Sequence, residues 1–283
     1  MSGRVETERV FGGETLRFLY GPGRTLTDHV LSRSLASRLY GLLQRSPRSR
    51  RKIESFVATL GIDASEAELP LDAYRSLDDF FTRHLRVGAR PIDLTPGHLV
   101  SPGDGRAVAF ASLEDDRVVV KGSHVGLPEL LGDRALAARF SGGAALVLRL
   151  APADYHRFHF PEAGLVGPGV ALSGPLHSVH PIALEAGAPS FRNKRVFTRL
   201  ATAAFGILGL VDVGALCVGT IVETYRPGQV QRGDEKGYFR FGGSTVILLA
   251  EPGKLRFDDD ILEATARGME SRVLMGSRIA KAV

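Results

Sequence analysis

The stretch Gly242-Gly243-Ser244-Thr245-Val246-Ile247-Leu248-Leu249 joins a glycine turn directly to an apolar run. The run that begins at Val246 is typical of a buried strand, because β-branched and apolar residues follow turn residues. An ordinary β-turn is one explanation for a serine in this place. The two glycines also permit backbone conformations closed to other residues, which would let the Ser244 hydroxyl fold back onto the Gly243 carbonyl. An N-to-O acyl shift needs that arrangement, so both interpretations are open.

Short apolar runs of the same kind recur through the rest of the chain. They are separated by Gly, Pro and Asp, and the 33 Gly and 15 Pro favour turns and short strands over long helices. The runs are Val118–Val120, Ala145–Leu150, Val218–Val222 and Val246–Ala250. We therefore predict that residues 91–283 form a mainly β catalytic region.

The first 90 residues have a different, helical pattern. Between Thr25 and Gln44, leucines recur at spacings of four, four and three while arginines fall elsewhere, which predicts an amphipathic helix. Arg51–Leu60 predicts a second helix that ends at Gly61, and Leu77–Leu85 predicts a third. The predicted class is α+β, with an N-terminal amphipathic helical region (residues 1–90) and a mainly β catalytic core.

Charge is concentrated near the N-terminus. The net charge of the chain is only +5, too diffuse to predict a nucleic-acid partner. From Arg24 to Lys52 there are eight basic residues against one acidic residue, Asp28, a local balance of +7. A solvated helix face explains this region. Adsorption to an anionic membrane explains it too, since each Lys or Arg near the surface adds about 1 kcal/mol.

Two further patterns concern the compartment and the membrane. Cys217 is the single cysteine, which excludes an intrachain disulfide and a Cys-based zinc site. Residues 1–20 carry several charges and no apolar core of the length that a secretory signal needs, so we expect a cytoplasmic start. Leu200–Val222 approaches transmembrane length, but its glycines and β-branched residues favour buried strands joined by a turn.

Two histidines follow the predicted strand Ala145–Leu150, where a loop would leave a sheet. His156 and His159 are three residues apart and have aromatic neighbours. A metal pair would need His177 and His180 to complete its ligands. We prefer the alternative of a base or a proton donor, whose pKa can lie near the working pH.

Asp104 lies between two glycines, a place that is typical of a turn. In the order Asp104, His159, Ser244 the chain supplies the three parts of an activated nucleophile, although sequence order does not show that they meet. A hydrolase would use the same parts. Ser244 lacks the surrounding Gly-x-Ser-x-Gly turn, however, which disfavours an esterase of the α/β-hydrolase fold.

Six ordered segments make the chain similar to one family. They are Asp79-Phe80-Phe81-Thr82-Arg83 with Arg90-Pro91-Ile92, Ser101 to Gly105, Asp154 to His159 with Pro161, Arg192 to Val196, Val213 to Ala215 with Val218-Gly219, and Gly243-Ser244-Thr245. They lie within about residues 75–257. In these segments the chain resembles the phosphatidylserine decarboxylase proenzymes of bacterial type, which are pyruvoyl-dependent.

The resemblance implies a self-processing carboxy-lyase. Asp104 would orient and charge-stabilise His159, which would deprotonate Ser244 for attack on the Gly243 carbonyl. The peptide bond would become an ester, elimination would break that ester, and position 244 would be left as a pyruvoyl group. The products would be a β chain, residues 1–243, and an α chain of 40 residues, 244–283. His156 would lie near the substrate headgroup and take part in proton transfer.

The implied reaction converts phosphatidylserine to phosphatidylethanolamine in phospholipid biosynthesis. The substrate amine would form a Schiff base with the pyruvoyl ketone, whose conjugated carbonyl accepts the electrons released as carbon dioxide leaves. We expect no metal. The implied partners are the lipid and an anionic membrane surface, with peripheral attachment to the cytoplasmic face of the cell membrane. A higher homo-oligomer of the αβ unit is left open.

Two other functions remain open from the sequence. A pyruvoyl-dependent decarboxylase of a soluble amino acid would share the self-cleavage but would not need the basic region Arg24–Lys52. A non-enzymatic lipid-binding protein would keep Gly243-Ser244 as an ordinary turn. Lipid binding separates the first from the main hypothesis, and the mass of the purified chain separates the second.

Overall fold

The computed structural model describes residues 13–32, 41–216, 221–242 and 244–283. Within these ranges short helices, one large sheet and three small sheets make up the fold. The predicted α+β class, mainly β, is confirmed. The predictions that concern Gly243 and Cys217, and those for Arg33 and Arg38 of the predicted helix Thr25–Gln44, fall on residues outside the described ranges.

Helical segments come first along the chain. Their bounds are Gly13–Leu19, Arg24–Leu26, the π-helix Thr27–Leu31, residues 41–45, the 3₁₀ helices Pro47–Lys52, Ala64–Glu66 and Leu71–Ala73, and the α-helices Ile53–Leu60 and Leu77–Phe81. Part of the predicted helix Thr25–Gln44, residues 33–40, lies outside the description. The first strand begins at His98, and a domain boundary near residue 90 stays a prediction.

The second predicted helix ends where its glycine predicts. Helix Ile53–Leu60 stops at Gly61, whose φ of 65° is left-handed and whose N–H donates to the Val57 carbonyl. The third helix is shorter than predicted, because Leu77–Phe81 ends four residues before Leu85. Leu85 instead forms a β-bridge with Ala67, so the chain leaves the helix to pair with an extended neighbour.

An apolar cluster holds these two helices together and joins them to the β region. Its buried members are Ile53, Phe56, Leu60, Ala67, Tyr74, Leu77, Phe80, Phe81 and Phe241. Phe241 belongs to the segment that leads to Ser244, and its ring centroid lies 4.9 Å from that of Phe81. The helical region is therefore packed against the chain just before the predicted cleavage point.

Seventeen strands are described. They are β1 His98–Val100, β2 Gly105–Phe110, β3 Arg117–Val120, β4 Ser123–Gly126, β5 Ala144–Leu150, β6 Arg157–His159, β7 Gly164–Val166, β8 Val170–Leu172, β9 Arg195–Thr202, β10 Gly206–Val213, β11 Ile221–Glu223, β12 Gly228–Val230, β13 Glu235–Phe239, β14 Ser244–Ala250, β15 Leu255–Phe257, β16 Ser271–Val273 and β17 Arg278–Ala282. The predicted strands at 145–150 and 246–250 correspond to β5 and β14.

Nine of these strands form the large sheet, in the order β12-β7-β9-β10-β14-β5-β2-β16 with β8 also paired to β9. Strand β14 lies between β10 and β5 and is antiparallel to both. Its register places Ser244 opposite Leu150 and Thr245 opposite Val213. The first residue of β14 therefore lies at the end of β5, beside the loop that carries both histidines.

Burial on both faces explains why β5 and β14 are apolar without alternation. All seven residues of each strand are buried, and successive side chains point to opposite faces. On one face Leu148 and Leu248 join the largest apolar cluster. On the other face Val147 and Ile247 join a second cluster.

Helices cover both of these faces. Helix Asp259–Ala266 contributes Ile261 to the first cluster, and helix Leu127–Leu131 contributes Leu127 and Leu130 to the second. The remaining helices are Arg134–Arg139, Pro181–Glu185 and the 3₁₀ segments Glu114–Asp116 and Ser190–Arg192. The middle of the sheet is thus enclosed in a layered core.

The three small sheets have the orders β1-β17-β15, β11-β13-β6 and β3-β4. Strand β6 ends at His159 and pairs with β13, which lies shortly before Ser244 in the chain. The pairing of β13 with β6 therefore brings the histidine segment close to the chain that leads to Ser244.

The apolar stretch Leu200–Val222 is folded as the sequence predicts in its first part. Strands β9 and β10 form an antiparallel hairpin that pairs Thr202 with Gly206 and Arg195 with Val213. Across the ranges that the structure covers, no helix combines the length and hydropathy that a membrane crossing requires.

Candidate active site

Ser244 occupies the first position of β14 and is fully buried. Its Oγ lies 3.4 Å from Nδ1 of His156. Gly242, two residues earlier, has a φ of 134°, a conformation that residues with a Cβ rarely adopt. The buried serine is thus held by the sheet on one side and faces an imidazole on the other.

His156 is fixed by three neighbours. Its Nε2 lies 3.0 Å from the Ala151 carbonyl oxygen, which can only accept a hydrogen bond. The Phe81 ring stacks on the imidazole, with ring centroids 3.9 Å apart and planes 25° apart. Nε2 therefore carries the proton, and the unprotonated Nδ1 accepts the Ser244 hydroxyl hydrogen.

Burial keeps this imidazole neutral. Loss of contact with water lowers the pKa of His156 to about 3, although its hydrogen bond to Ala151 favours the protonated form. The positive charge of Arg83 lowers the pKa of His156 further. His156 is a weak proton acceptor in this state of the chain.

His159 lies in a different environment, at the end of β6. Its Nδ1 donates to the Gly233 carbonyl at 2.9 Å, and its Nε2 lies 3.2 Å from the Tyr155 hydroxyl. Burial lowers the pKa of His159, while the Gly233 carbonyl and the negative charges of Glu235 and Asp104 oppose that effect. The carboxylates thus make His159 easier to protonate than burial alone would allow.

Asp104 makes its hydrogen bonds with groups that the sequence did not predict. Both of its carboxylate oxygens accept from Arg90, the shorter contact being 2.6 Å, and Oδ1 accepts the Met275 N–H at 2.8 Å. In the described part of the chain its influence on His159 is electrostatic, without a hydrogen bond between the two. The predicted orienting role of Asp104 is untested and stays a prediction.

The structure therefore brings Ser244 to His156 and places His159 at the end of β6, with its Nε2 beside the Tyr155 hydroxyl. These contacts do not test the predicted roles of His159 as the base in self-cleavage and of His156 in proton transfer near the substrate. His177, considered as a metal ligand from the sequence, lies elsewhere, with its Nδ1 3.9 Å from an oxygen of Asp28. Among the residues described, no group of three His, Cys, Asp or Glu side chains is placed to hold a metal.

Asp78 connects the helical region to the segment before Ser244. Its buried carboxylate accepts from Nη1 of Arg240 at 2.7 Å and from the Phe241 N–H at 3.0 Å. Arg45 lies 3.7 Å from the same carboxylate. Asp78 lies in the first turn of helix Leu77–Phe81, and the sequence does not predict this contact. No local pattern could have found it, because its partners lie 162 and 163 residues away.

A polar cavity of about 360 Å³ opens beside Asp104 and Tyr155. Its walls include Arg83, Arg90, Asp104, Ala151 and Tyr155. Ala151 also accepts the hydrogen bond of His156, so one residue, His156, separates this part of the cavity wall from Ser244. A volume of this size suits a small polar ligand.

Comparison with known proteins gives one consistent result. The family profile described as phosphatidylserine decarboxylase matches residues 77–281. A phosphatidylserine decarboxylase proenzyme of Fusobacterium nucleatum is 42% identical over 282 residues, which cover 98% of this chain and 94% of the relative. Proenzymes of the same name from Clostridium perfringens and Desulfitobacterium hafniense are each 41% identical over 279 residues, 97% of this chain and 95% and 94% of the relatives.

These similarities, with the serine at the head of a buried strand, define the class of the protein as a decarboxylase proenzyme. The similarity extends beyond residues 75–257, which carried the resemblance in the sequence. The chain belongs to the phosphatidylserine decarboxylase family. Members of this family are carboxy-lyases that depend on a pyruvoyl group.

The Asp78 contacts lead to a first prediction. Asp78→Asn removes the charge that pairs with Arg240 and weakens the bond to the Phe241 N–H. Because these bonds hold the segment before Ser244, we expect cleavage at position 244 to slow about tenfold, the equivalent of one weakened buried contact. The rate of fragment formation on a denaturing gel measures this.

Asp79→Asn is the matched control, since the Asp79 side chain is exposed and accepts the Arg75 N–H. We expect its cleavage rate to equal that of the parent chain. Thermal unfolding of both variants identifies a general loss of stability. Cleavage of Asp78→Asn at the parent rate would contradict the positioning role of Asp78.

The buried imidazole leads to a second prediction, tested on a Ser244→Ala chain that stays in one piece. The pKa of His156 is lowered from 6.5 to about 3 in the folded chain. Its contribution to the free energy of unfolding is therefore complete above pH 6.5 and is lost as the pH falls towards 3. At pH 5 the imidazole is protonated in the unfolded chain but not in the folded one, and we expect this to lower the free energy of unfolding by about 2 kcal/mol relative to pH 7. Urea unfolding at pH 7 and pH 5 measures the difference.

Adding His156→Gln to the Ser244→Ala chain should remove the part of the pH dependence of unfolding that comes from His156, because no imidazole remains at this position. The control is His124→Gln, which changes an exposed histidine of β4. Burial also lowers the pKa values of His159 and His177, so some acid sensitivity should persist in every variant. Equal pH dependence in the His156 and His124 variants would disprove a buried neutral His156.

Proposed function

We propose that this chain is a phosphatidylserine decarboxylase that matures by cutting itself between Gly243 and Ser244. The observation that carries the proposal is the buried position of Ser244 at the first residue of β14, beside the histidine segment, in a chain of this family. The substrate is phosphatidylserine, and the products are phosphatidylethanolamine and carbon dioxide.

In the first reaction the Ser244 oxygen attacks the Gly243 carbonyl carbon, and an ester replaces the peptide bond. Elimination then breaks the ester and leaves a dehydroalanine at position 244. Hydrolysis of the dehydroalanine releases ammonia and leaves the pyruvoyl group. The products are the β chain, residues 1–243, and the α chain, residues 244–283, which stay together as an αβ unit.

The surroundings of residue 244 fit a pyruvoyl group. The position is buried, lies at a fixed strand end, and faces the Nδ1 of His156, a polar atom in an otherwise apolar setting. A pyruvoyl group supplies an electron sink for the electrons released with carbon dioxide. His156, Phe81 and the carbonyl of Ala151 would fix and desolvate the reacting atoms.

We assign His159 as the base that removes the Ser244 hydroxyl proton during self-cleavage. We assign His156 to the proton transfer during the decarboxylation. A base with a pKa of about 3 accepts a proton poorly at neutral pH, which disfavours His156 in the first reaction. Burial lowers the pKa of His159 as well, but the Gly233 carbonyl and the carboxylates of Glu235 and Asp104 oppose that effect, which favours His159 as the base. The contact of His156 with residue 244 supports its place at the reacting group of the second reaction.

The same proposal includes peripheral attachment to an anionic membrane. Leu42 and Leu43 are 58% and 67% exposed, which is unusual for side chains of this size. Arg48, Arg51 and Lys52 follow shortly after them, and all three are exposed. Apolar side chains beside cations are the composition that binds a lipid surface. The cytoplasmic face, as the site of attachment, rests on the sequence alone.

The processing proposal leads to a third prediction. The purified parent chain should consist of two fragments, the smaller with a carbonyl-bearing first residue at position 244, and Ser244→Ala should stay whole. Asp104→Asn and His159→Gln should stay uncleaved. His156→Gln should be cleaved but should release carbon dioxide at least about 100-fold more slowly. Denaturing mass analysis and carbon dioxide release measure the two reactions separately.

The control for the histidine variants is His124→Gln, which should be cleaved and active. Reversed behaviour, with His156→Gln uncleaved and His159→Gln cleaved, would overturn our assignment of the two histidines. A whole parent chain that decarboxylates phosphatidylserine would overturn self-processing. Release of carbon dioxide from free serine at the same efficiency would favour a soluble amino acid as the substrate.

Membrane attachment leads to a fourth prediction. Replacing Arg48, Arg51 and Lys52 by Gln should remove up to about 3 kcal/mol of attraction to anionic vesicles, at about 1 kcal/mol for each charge. Salt reduces this value by screening. Cleavage at position 244 should continue, because these residues lie outside the contacts of Ser244. Co-sedimentation with vesicles across a salt series measures the attraction.

The matched control replaces Arg117, Arg134 and Arg199, which are exposed on other elements, by Gln. Both triple variants lose three positive charges. A difference in vesicle binding between them therefore reports the location of the charges and not the change in net charge. If the two variants co-sediment equally at every salt concentration, the residues from Arg48 to Lys52 form an ordinary solvated surface.

A further inference from the structure

Arg83 is a buried arginine whose donors lack partners. It follows helix Leu77–Phe81, and only 5% of the residue is exposed. Its Nε and Nη1 are buried and have no hydrogen-bond partner among the described residues. A buried guanidinium without acceptors is costly, and buried donors in native proteins are nearly always paired. The side chain therefore lacks an acceptor among the described residues and has donors available for a ligand.

The other cations beside the cavity are already paired. Arg90 donates to Glu66 and Asp104, and Arg106 donates to Asp154. Glu66 and Asp104 act on Arg83 only through their charges. Arg83 thus lines the cavity and has two unpartnered donors, whereas Arg90 and Arg106 already hold Glu66, Asp104 and Asp154.

The cavity places Arg83 on the approach to residue 244. Phe81, two residues before Arg83, stacks on His156. Ala151, on the cavity wall, accepts from the same His156. A ligand in the cavity would therefore meet walls that include Arg83 and Ala151, and Ala151 is hydrogen-bonded to the His156 that faces Ser244.

We propose that Arg83 binds the phosphodiester of the lipid headgroup, which holds the headgroup in this cavity with its amine towards residue 244. This inference rests on the proposed function. The guanidinium presents two parallel N–H donors that match two phosphate oxygens. Arg83 is a binding and positioning residue for the substrate.

The headgroup has a second anion, its carboxylate, but this is the poorer ligand for Arg83. The carboxylate leaves as neutral carbon dioxide, so its negative charge is lost during the reaction. A guanidinium bound to it would stabilise the bound substrate more than the transition state and would slow the reaction. The phosphodiester keeps its charge throughout, and binding it carries no such penalty.

The test uses the full-length Ser244→Ala chain, which cannot form a pyruvoyl group and therefore cannot react with an amine. Glycerophosphoethanolamine carries the phosphodiester without a carboxylate, and L-serine carries the carboxylate without a phosphate. Each is titrated by calorimetry into this chain and into the same chain with Arg83→Gln, Arg83→Lys or Arg75→Gln. Arg75 is the matched control because it is exposed.

We expect glycerophosphoethanolamine to bind about 30-fold more weakly to the Arg83→Gln chain, as loss of a bidentate charged contact implies. Arg83→Lys should restore part of the binding, and Arg75→Gln should change nothing. In chains that keep Ser244, Arg83→Gln should raise the KM for phosphatidylserine more than it lowers kcat. Free inorganic phosphate should compete weakly, which separates a headgroup site from a general phosphate site.

Three results would overturn the inference. They are absence of glycerophosphoethanolamine binding to the Ser244→Ala chain, equal binding to the Arg83→Gln chain, and dependence of L-serine binding alone on Arg83. If Arg83→Gln fails to fold, Arg83→Lys provides the same comparison. Binding that depends on Arg83 in a protein without decarboxylase activity would keep this site and reject the proposed function, so the two failures are distinguishable.

Discussion

The pairing of β14 with β5 and β10 is the constraint on which the site depends. Because β14 is buried on both faces, its register cannot slip by one residue without turning its apolar side chains to the wrong cluster. The register in turn fixes Ser244 opposite Leu150, at the end of the strand that leads into the histidine loop. A reactive residue on a free loop would be placed less precisely, whereas the pairing of β14 with its two neighbours fixes the position of Ser244.

Around that position the protein separates neutral groups from charged ones. Ser244, His156 and Phe81 form a buried, neutral contact set. The charges lie one layer outward, where Arg90 binds two carboxylates and Asp78 binds Arg240. Charges in such pairs avoid most of the cost of burial, and they fix the loops that carry them. The layer of ion pairs thus supports the neutral centre without shifting its protonation directly.

Much of the fold was predictable because its signals are local. The apolar runs of β5 and β14 and the glycine that ends helix Ile53–Leu60 are visible within a few residues. The early end of helix Leu77–Phe81 was not, since Leu85 pairs with Ala67 through tertiary structure. The order Asp104, His159, Ser244 was visible in the sequence, but the contacts of these residues were not. Asp104 meets Arg90, and Asp78 meets Arg240, through loops whose paths no spacing rule determines.

The central place of β14 has a consequence for how the mature enzyme can be made. Residues 244–283 supply β14 inside the large sheet, β16 at its edge, and β15 and β17 to a small sheet. If residues 244–283 were synthesised separately, they would have to insert β14 between β10 and β5, which could pair with each other in its absence. If the chain is cut before Ser244 as proposed, the uncut precursor would act as an assembly template, because it places β14 in the sheet while the link to Phe241 and Gly242 is intact. After such a cut, hydrogen bonds on both sides of β14 would hold the two pieces together, and they would part only through global unfolding.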